Sequence, residues 1–320
     1  MFYQGKKVLV TGGTGFVGSH IVDQLLAQGA HVRIPRYQRV PRFQHERLEV
    51  VPGDLNSPAD CRQLCRGMNY VFHAGGTASS AGTTPSAAMN AITLNTIVTL
   101  QTLQAAWDEG VERTLVFSSS TGYPAADHAL TEDEMWSGPP YPGYFGYAWT
   151  RRYFERMAEF VASKSSMKVA VLRPTAVYGP RDASGHVIPS LIRRAVAKQN
   201  PFVVWGDGSE VRDFLHISDL ARGALLLLEK HLSSDPVNIG YGSAVTVKQC
   251  LAAILKAAGH EQCELIFDTT KPTTIPFRMV DISKANKLLS FAPQVKLEDG
   301  LADTVKWFQA NPQFAVAAGH

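Results

Sequence analysis

The sequence predicts a doubly wound parallel α/β sheet followed by a smaller C-terminal α/β lobe. Three observations carry this. Short apolar runs alternate with segments of helical period through residues 1–179, the rhythm of strand–helix–strand units. A glycine-rich turn joins the first strand to the first helix. After Gly179 the alternation loosens and helical segments dominate.

The elements follow in order. "KVLV", from Lys7, reads as a short buried strand. Ile21 to Leu26 repeats apolar residues at helical period, and Gly29 ends that helix. Val32 to Ile34 starts a second strand. A unit of this kind, about 30 residues long, brings its two strands together in parallel. "LEVVPGDL" continues as strand, "PADCRQLCRGM" as helix and "NYVFHAGG" as strand. "NAITLNTIVTLQTLQAAWDEG" is a long helix and "RTLVFSSS" a strand. A helix from about Tyr147 through Ser163 precedes the strand "KVAVLRPTAVYG". Beyond it, "HVIPSLIRRAVAKQ" and "HISDLARGALLLLEKHL" read as helices, "PFVVWGDG" as strand and turn, and "PVNIG" as a buried strand. "TVKQCLAAILKAAG", "ISKANKLL" and "LEDGLADTVKWFQA" complete the smaller lobe. The expected division is a first domain over 1–179, rejoined by about 213–245, and a lobe formed mainly by 180–320. A cleft between them, at the carboxyl ends of the strands, is the expected working site.

Composition narrows the class. The chain has 320 residues, 45% of them hydrophobic, and a net charge of +3 with both signs scattered. No basic tail or block of like charge points to nucleic acid or an anionic membrane, so neither is expected as partner. No apolar run reaches the roughly 18–20 residues that a membrane helix needs. "MFYQGKKVLVTGG" enters a strand pattern directly, without a signal peptide, and a cytoplasmic protein is expected. Cys61, Cys65, Cys250 and Cys263 lack the spacing of a metal site or disulfide framework and read as ordinary thiols. No metal is expected.

The turn Thr11–Gly18 contains Gly12-x-x-Gly15-x-x-Gly18. Between a strand and a helix, such glycines permit a tight turn, close approach of a pyrophosphate and close helix packing. Phe16 and Val17 open the helix whose N-terminal amides and dipole would meet the phosphates. The first domain therefore reads as a Rossmann sheet binding a nicotinamide dinucleotide. An enzyme for NAD places an acid about 20 residues past the glycines, on the ribose hydroxyls. Here that place is Arg36, with Arg39 close behind and no acid nearby. Arginine pairs bidentately with a 2′-phosphate, which favours NADP over NAD. Asp54 and Leu55 follow the next strand, where a carboxylate suits the adenine amino group. "HAGG" ends the following strand in small residues, with Ala74 beside the cofactor path. His73 is assigned no chemistry.

These motifs resemble the extended short-chain dehydrogenase/reductase family, in particular its nucleotide-sugar epimerases, dehydratases and reductases. The likeness covers nearly the whole chain. It rests on "TGGTGFVG", "GDL", Asn95, "VFSSSTGYP", Tyr147, "LRPTAVYGP", "WGDGSEVRDFLHISDLARG", "VNIG" and "DISKANKLL". "SSSTGYP", "YFGYAWTRR" and "GHVIPSLIRR" look most like its GDP-fucose synthase branch. The resemblance implies that Ser119 hydrogen-bonds the reacting sugar oxygen and that Tyr147 is its general acid/base. Arg151 stands where the family has a Lys that holds the nicotinamide ribose and activates the tyrosine. Asn95 matches a residue supporting this network, and Arg212 one that binds the substrate diphosphate. Arg151 keeps the charge but does not titrate.

Two departures bear on the chemistry. Thr121 stands where the fucose synthases have a Cys that moves protons at sugar carbons, which puts C3/C5 epimerisation in doubt. Thr there is similar to UDP-galactose 4-epimerases, and Ser120-Thr121 replaces the Asp-Glu pair of the 4,6-dehydratases. His186 matches the fucose synthase His; it is read either as an acid or substrate contact, or as a helix cap. Ala176 replaces a frequent Asn. The expectation is hydride exchange at C4 of a nucleotide-activated hexose, by a 4-epimerase or a 4-keto reductase. Reduction of a non-sugar carbonyl and a dinucleotide-binding sensor or scaffold are the alternatives. Family members often dimerise through the helices holding Asn95 and Tyr147, and a homodimer is the corresponding expectation.

Overall fold

The computed structural model describes residues 1–37, 41, 44–77, 85–271 and 273–314. β1 (Lys7–Thr11) runs into α1 (Phe16–Ala27), followed by β2 (His31–Arg36), β3 (Leu48–Pro52), α2 (Pro58–Cys65) and β4 (Tyr70–His73). α3 (Pro85–Asp108) leads to β5 (Arg113–Phe117), and α4 (Phe145–Lys164) to β6 (Lys168–Pro174) and β7 (Ala176–Tyr178). Next come α5 (Val187–Val196), β8 (Phe202–Trp205), β9 (Val211–Arg212), β10 (Phe214–His216), α6 (Ile217–Lys230) and β11 (Val237–Ile239). The chain finishes with β12 (Val245–Thr246), α7 (Val247–Ala257), β13 (Leu265–Asp268), β14 (Phe277–Arg278), α8 (Ser283–Leu289) and α9 (Leu297–Ala310).

Among the described residues, one seven-stranded sheet runs in the order β11-β6-β5-β4-β1-β2-β3. Every pairing in it is parallel. The chain moves outward from β1 on one side, then returns to build β4, β5 and β6 on the other. The strand order therefore reverses between β1 and β4, and at such a point the crossovers diverge and leave a crevice. Thr11 lies opposite His73 and His73 opposite Val116, so the carboxyl ends of β1, β4 and β5 lie side by side.

Both faces of the sheet are buried, because successive strand residues point to opposite sides. Val8, Val10, Phe72, Leu115 and Leu172 pack with Ile21, Val22 and Leu25 of α1 and Leu220 and Ala224 of α6. Leu9, Val71, Val116 and Val171 face the other way, against Leu64 of α2, Leu103 of α3 and Phe154 and Ala158 of α4. This explains why the strands read as continuous apolar runs rather than alternating ones. Phe154 is wholly buried; cutting such a side chain back to Ala costs about 3–5 kcal/mol. A further core joins Ile188, Leu191 and Ile192 of α5 to Leu251 and Ile254 of α7 and Leu301, Val305 and Phe308 of α9.

The long helix begins at Pro85, before the segment that its apolar period marks out, and α4 begins at Phe145. Of the small sheets β10-β7, β12-β9-β14 and β13-β8, the sequence reading anticipated β8 in "PFVVWGDG" and ran β7 on from β6 in "KVAVLRPTAVYG", but had no counterpart for the other strands or for the pairings. Several of their strands are only two or three residues long, too short to show a period.

Candidate active site

Gly12 turns the chain at φ +67°, and a side chain there would run into the Ala74 carbonyl. The Gly15 amide donates to the Gly12 carbonyl at 2.8 Å. A side chain at Gly18 would strike that same carbonyl, so α1 packs directly on the turn. Gly15 caps α1 without a side-chain hydrogen bond, and no acid occupies the first turn. The first-turn amides, including those of Phe16 and Val17, thus meet neither a capping side chain nor an acid, and an anion is their natural partner. This cradle fits a dinucleotide pyrophosphate.

Around it, Arg36 ends β2 and is exposed; Arg39 lies outside the described residues. Asp54 Oδ1 accepts from the Asn56 amide at 2.9 Å and from its side chain at 2.8 Å, which fixes the turn after β3. Leu55 packs against Gly75, where an added Cβ would lie 2.7 Å from its Cδ1. Asn95 bonds both backbone groups of Thr77, each at 2.9 Å. Its hydrogen bonds therefore hold the segment leaving β4 rather than Ser119 or Tyr147.

His73 lies buried between Thr11 and Thr99, with Nδ1 2.9 Å from Thr11 Oγ1 and Nε2 3.0 Å from Thr99 Oγ1. Thr11 Oγ1 also accepts from the Gly75 amide at 3.0 Å. Burial, and secondarily the Arg151 charge, pushes His73 down to about 3, so it is neutral and works as a structural link.

The catalytic candidates leave β5 and α4. Ser119 is extended and caps a single turn at Ser120–Gly122. Its Oγ accepts from the Thr121 amide at 3.1 Å and from the Thr121 hydroxyl at 2.9 Å. With both lone pairs engaged, the Ser119 proton is left to donate outward. Tyr147 and Arg151 lie one turn apart on α4. The Arg151 guanidinium stands 4.6 Å from the centre of the Tyr147 ring and 5.5 Å from that of Phe154. Its Nη1 donates to the Phe117 carbonyl at 2.9 Å, at the end of β5. Gly146 lets α4 approach α3, since a side chain there would meet Ile92. His186 is exposed and holds the N-cap position of α5, but its side chain makes no capping bond.

Arg212 lies on β9, directly opposite Arg278 on β14. Arg212 donates to the Val211 carbonyl at 2.8 Å and to the Thr274 hydroxyl. Arg278 donates to the Pro124 and Tyr123 carbonyls at 2.9 and 3.1 Å. Burial lowers both, Arg278 to about 10, and the Tyr144 phenol partly counters this at each. Among the described residues neither arginine has a carboxylate at ion-pair distance. Glu210 acts on Arg212 only from beyond ion-pair distance, so two adjacent, largely buried cations are left that a polyanion could satisfy. Sequence reasoning nominated Arg212 and not Arg278, whose "PFRMV" context carries no spacing that would have marked it.

The chain matches the NAD dependent epimerase/dehydratase family over residues 8–240. It is 30% identical to a dTDP-4-dehydro-6-deoxy-D-allose reductase of Streptomyces sp., covering 96% of this chain and 97% of that one. It is also 30% identical to a probable GDP-L-fucose synthase of Oryza sativa subsp. japonica, over 96% and 93%. The solved UDP-glucuronic acid 4-epimerase of Bacillus cereus, in complex with UDP-glucuronic acid and NAD, superposes with a TM-score of 0.84 at 26% identity. That match covers 95% of this chain and 99% of that one.

Proposed function

The chain belongs to the NAD dependent epimerase/dehydratase family, and we propose that it exchanges hydride at C4 of a nucleotide-activated hexose, as a 4-epimerase or a 4-keto reductase. The observation that carries the substrate class is the pair Arg212 and Arg278, opposite one another on β9 and β14, with no carboxylate at ion-pair distance among the described residues. A nucleoside diphosphate sugar brings the two charges that such a pair needs. The relatives act, by their names, on nucleotide sugars of this kind.

A nicotinamide dinucleotide bound at the Gly12–Gly18 turn supplies or accepts the hydride. The chain's own residues do the rest. Phe16, Val17 and Gly18 present amides to the pyrophosphate, Gly12 and Gly15 form the tight turn beneath it, and Ala74 and Asn95 shape the path away from β4. Asp54 and Leu55 border the adenine. Arg36, at the end of β2, favours the 2′-phosphate of NADP; Arg39 is assigned to the same task. Ser119, its oxygen already engaged by Thr121, donates its proton to the sugar O4. Tyr147 delivers a proton to O4 as a ketone becomes an alcohol, and removes it in reverse. Arg151 places a fixed charge beside that ring. Thr121, bound to Ser119, orients it rather than acting at a carbon acid. His186 is assigned to contact with the substrate from the start of α5. An NADP preference favours net reduction, because an epimerase regenerates its cofactor each cycle.

Residues 180–320 form most of the substrate lobe in this reading. A homodimer through α3 and α4 is part of it, since Leu94, Ile97, Trp149, Tyr153 and Phe160 are large apolar side chains left exposed on those helices. The free cysteines suit a reducing, cytoplasmic setting.

Calorimetric titration with NADPH and NADH, followed by GDP-, UDP-, dTDP- and CDP-sugars, tests the proposal. Dinucleotide binding followed by one selective sugar nucleotide supports it, and that ligand becomes the substrate for assay with Tyr147→Phe. Dinucleotide binding without any sugar nucleotide, or full turnover by Tyr147→Phe, overturns it.

A further inference from the structure

Glu155 takes no part in the reaction as described, yet it stands on α4 at the next four-residue step after Tyr147 and Arg151. Residues so spaced follow one another along a single helix face. Arg151 is bonded to the Phe117 carbonyl. One residue on, the Ser118 hydroxyl donates to Glu155 Oε1. One residue further is Ser119. Consecutive residues at the end of β5 are thus tied to consecutive turns of α4, the helix that carries the candidate acid/base.

Glu155 is itself held from the opposite side. Arg173 of β6 donates Nε to Glu155 Oε1 and Nη2 to Glu155 Oε2, both at 2.8 Å. The third donor, Arg173 Nη1, reaches the Tyr123 hydroxyl and the Glu132 carbonyl, each at 2.8 Å. Ser118, Glu155 and Arg173 are 2%, 4% and 2% exposed. A planar fork gripping both carboxylate oxygens in a dry interior leaves the carboxylate no second arrangement. The Ser118 bond is separate from this pair: Arg173 already satisfies Glu155, and removal of the Ser118 hydroxyl leaves the ion pair whole.

We infer that Glu155 is a positioning residue for the hydride-exchange site. Clamped by Arg173, it fixes the end of β5 against α4 through Ser118, and so sets the separation between the Ser119 hydroxyl and the Tyr147 phenol. This rests on the function proposed above. The physical ground is that displacement of about 1 Å between reacting groups can lower a rate by about a hundredfold without weakening ligand binding.

The test compares the full-length wild type with Ser118→Ala, which cuts only the link, and with Glu155→Gln, which also strands the Arg173 charge. Turnover is measured over GDP-, UDP-, dTDP- and CDP-linked 4-keto hexoses with NADPH, and over the corresponding hexoses with NADP+ and NAD+. Amide hydrogen exchange is followed without substrate in residues 113–122 and 145–156. For Ser118→Ala we expect kcat to fall roughly tenfold, with KM and the NADPH Kd within about twofold. Exchange should quicken in those two segments and nowhere else. An unchanged kcat, a change confined to KM, or unaltered exchange in both segments overturns the inference. Should Glu155→Gln fail to fold, Ser118→Ala decides alone. Should the wild type turn over no sugar nucleotide, the proposed function fails, and the exchange result still accepts or rejects the positioning role.

Discussion

The Arg151 guanidinium lies over the Tyr147 ring, 4.6 Å from its centre, while its Nη1 holds the Phe117 carbonyl at 2.9 Å. The side chain is therefore spread between the helix and the strand end. A lysine ammonium is a compact charge with no planar fork to stack on the ring while bonding the carbonyl. Arg151→Lys should lower unfolding free energy by about 1 kcal/mol, the usual scale of one cation–π contact, while NADPH still binds. Arg151→Met should also weaken NADPH. Urea denaturation and calorimetric titration check these outcomes; equal NADPH affinity in all three proteins would show that the charge does not reach the cofactor.

Arg36 ends β2 at the surface, where its charge would meet a 2′-phosphate and nothing on NADH. Arg36→Ala should raise the Kd for NADPH roughly tenfold, the scale of one charge-assisted hydrogen bond, and leave NADH unchanged. Parallel loss of both dinucleotides would assign Arg36 to stability instead.

Arg212 and Arg278 separate the sugar-nucleotide reading from a neutral carbonyl substrate. Either arginine replaced by Ala should raise KM for a nucleotide sugar by roughly tenfold to a hundredfold, with a smaller change in kcat. Reduction of a small neutral ketone should be unaffected. Similar losses on both substrate types would remove the polyanion site from the account. Arg278→Ala also leaves the Tyr123 and Pro124 carbonyls without their donor, so its melting temperature is measured alongside.

Two histidines weaken the fold in acid. Burial pushes His20 down to about 4 and His73 to about 3. The unfolded chain takes protons at both below about pH 6.5, while the folded chain does not. Stability from these groups is complete above that value and declines as pH falls toward the folded values. At pH 5 each accounts for a loss of about 2 kcal/mol. Between pH 7.5 and 5, His20→Gln should lose less stability than wild type by about that amount. Equal slopes in urea titrations would place His20 in contact with water.

Much of this was legible in the sequence where one residue type has few alternatives. Gly12 and Gly18 stand where backbone closes on backbone, so a glycine spacing betrayed them. Apolar runs such as "KVLV" announced strands covered on both faces. Ser119, Tyr147 and Arg212 were nominated through motifs rather than through periodicity. Arg278 escaped because its strand has two residues and its partner lies far back in the chain. Glu155 escaped for a different reason. In "RRYFERM" it looks like one more helix-surface acid, and only the meeting of α4 with β6 turns it into a buried partner of Arg173. His73 and Thr11 are paired through strand register, which one sequence does not display.

The return of β11 to the outer edge of β6 shapes how the molecule can be remade. The sheet gains its last strand only after the chain has built α5, β8, β9, β10 and α6. A fragment ending at residue 179 would leave the edge of β6 bare and the face beneath α6 uncovered, a template for aggregation. The cofactor-side scaffold is therefore not a detachable N-terminal cassette. Grafting a foreign C-terminal lobe onto it requires three junctions, one before α5, one before α6 and one after β11, with α6 retained from the recipient.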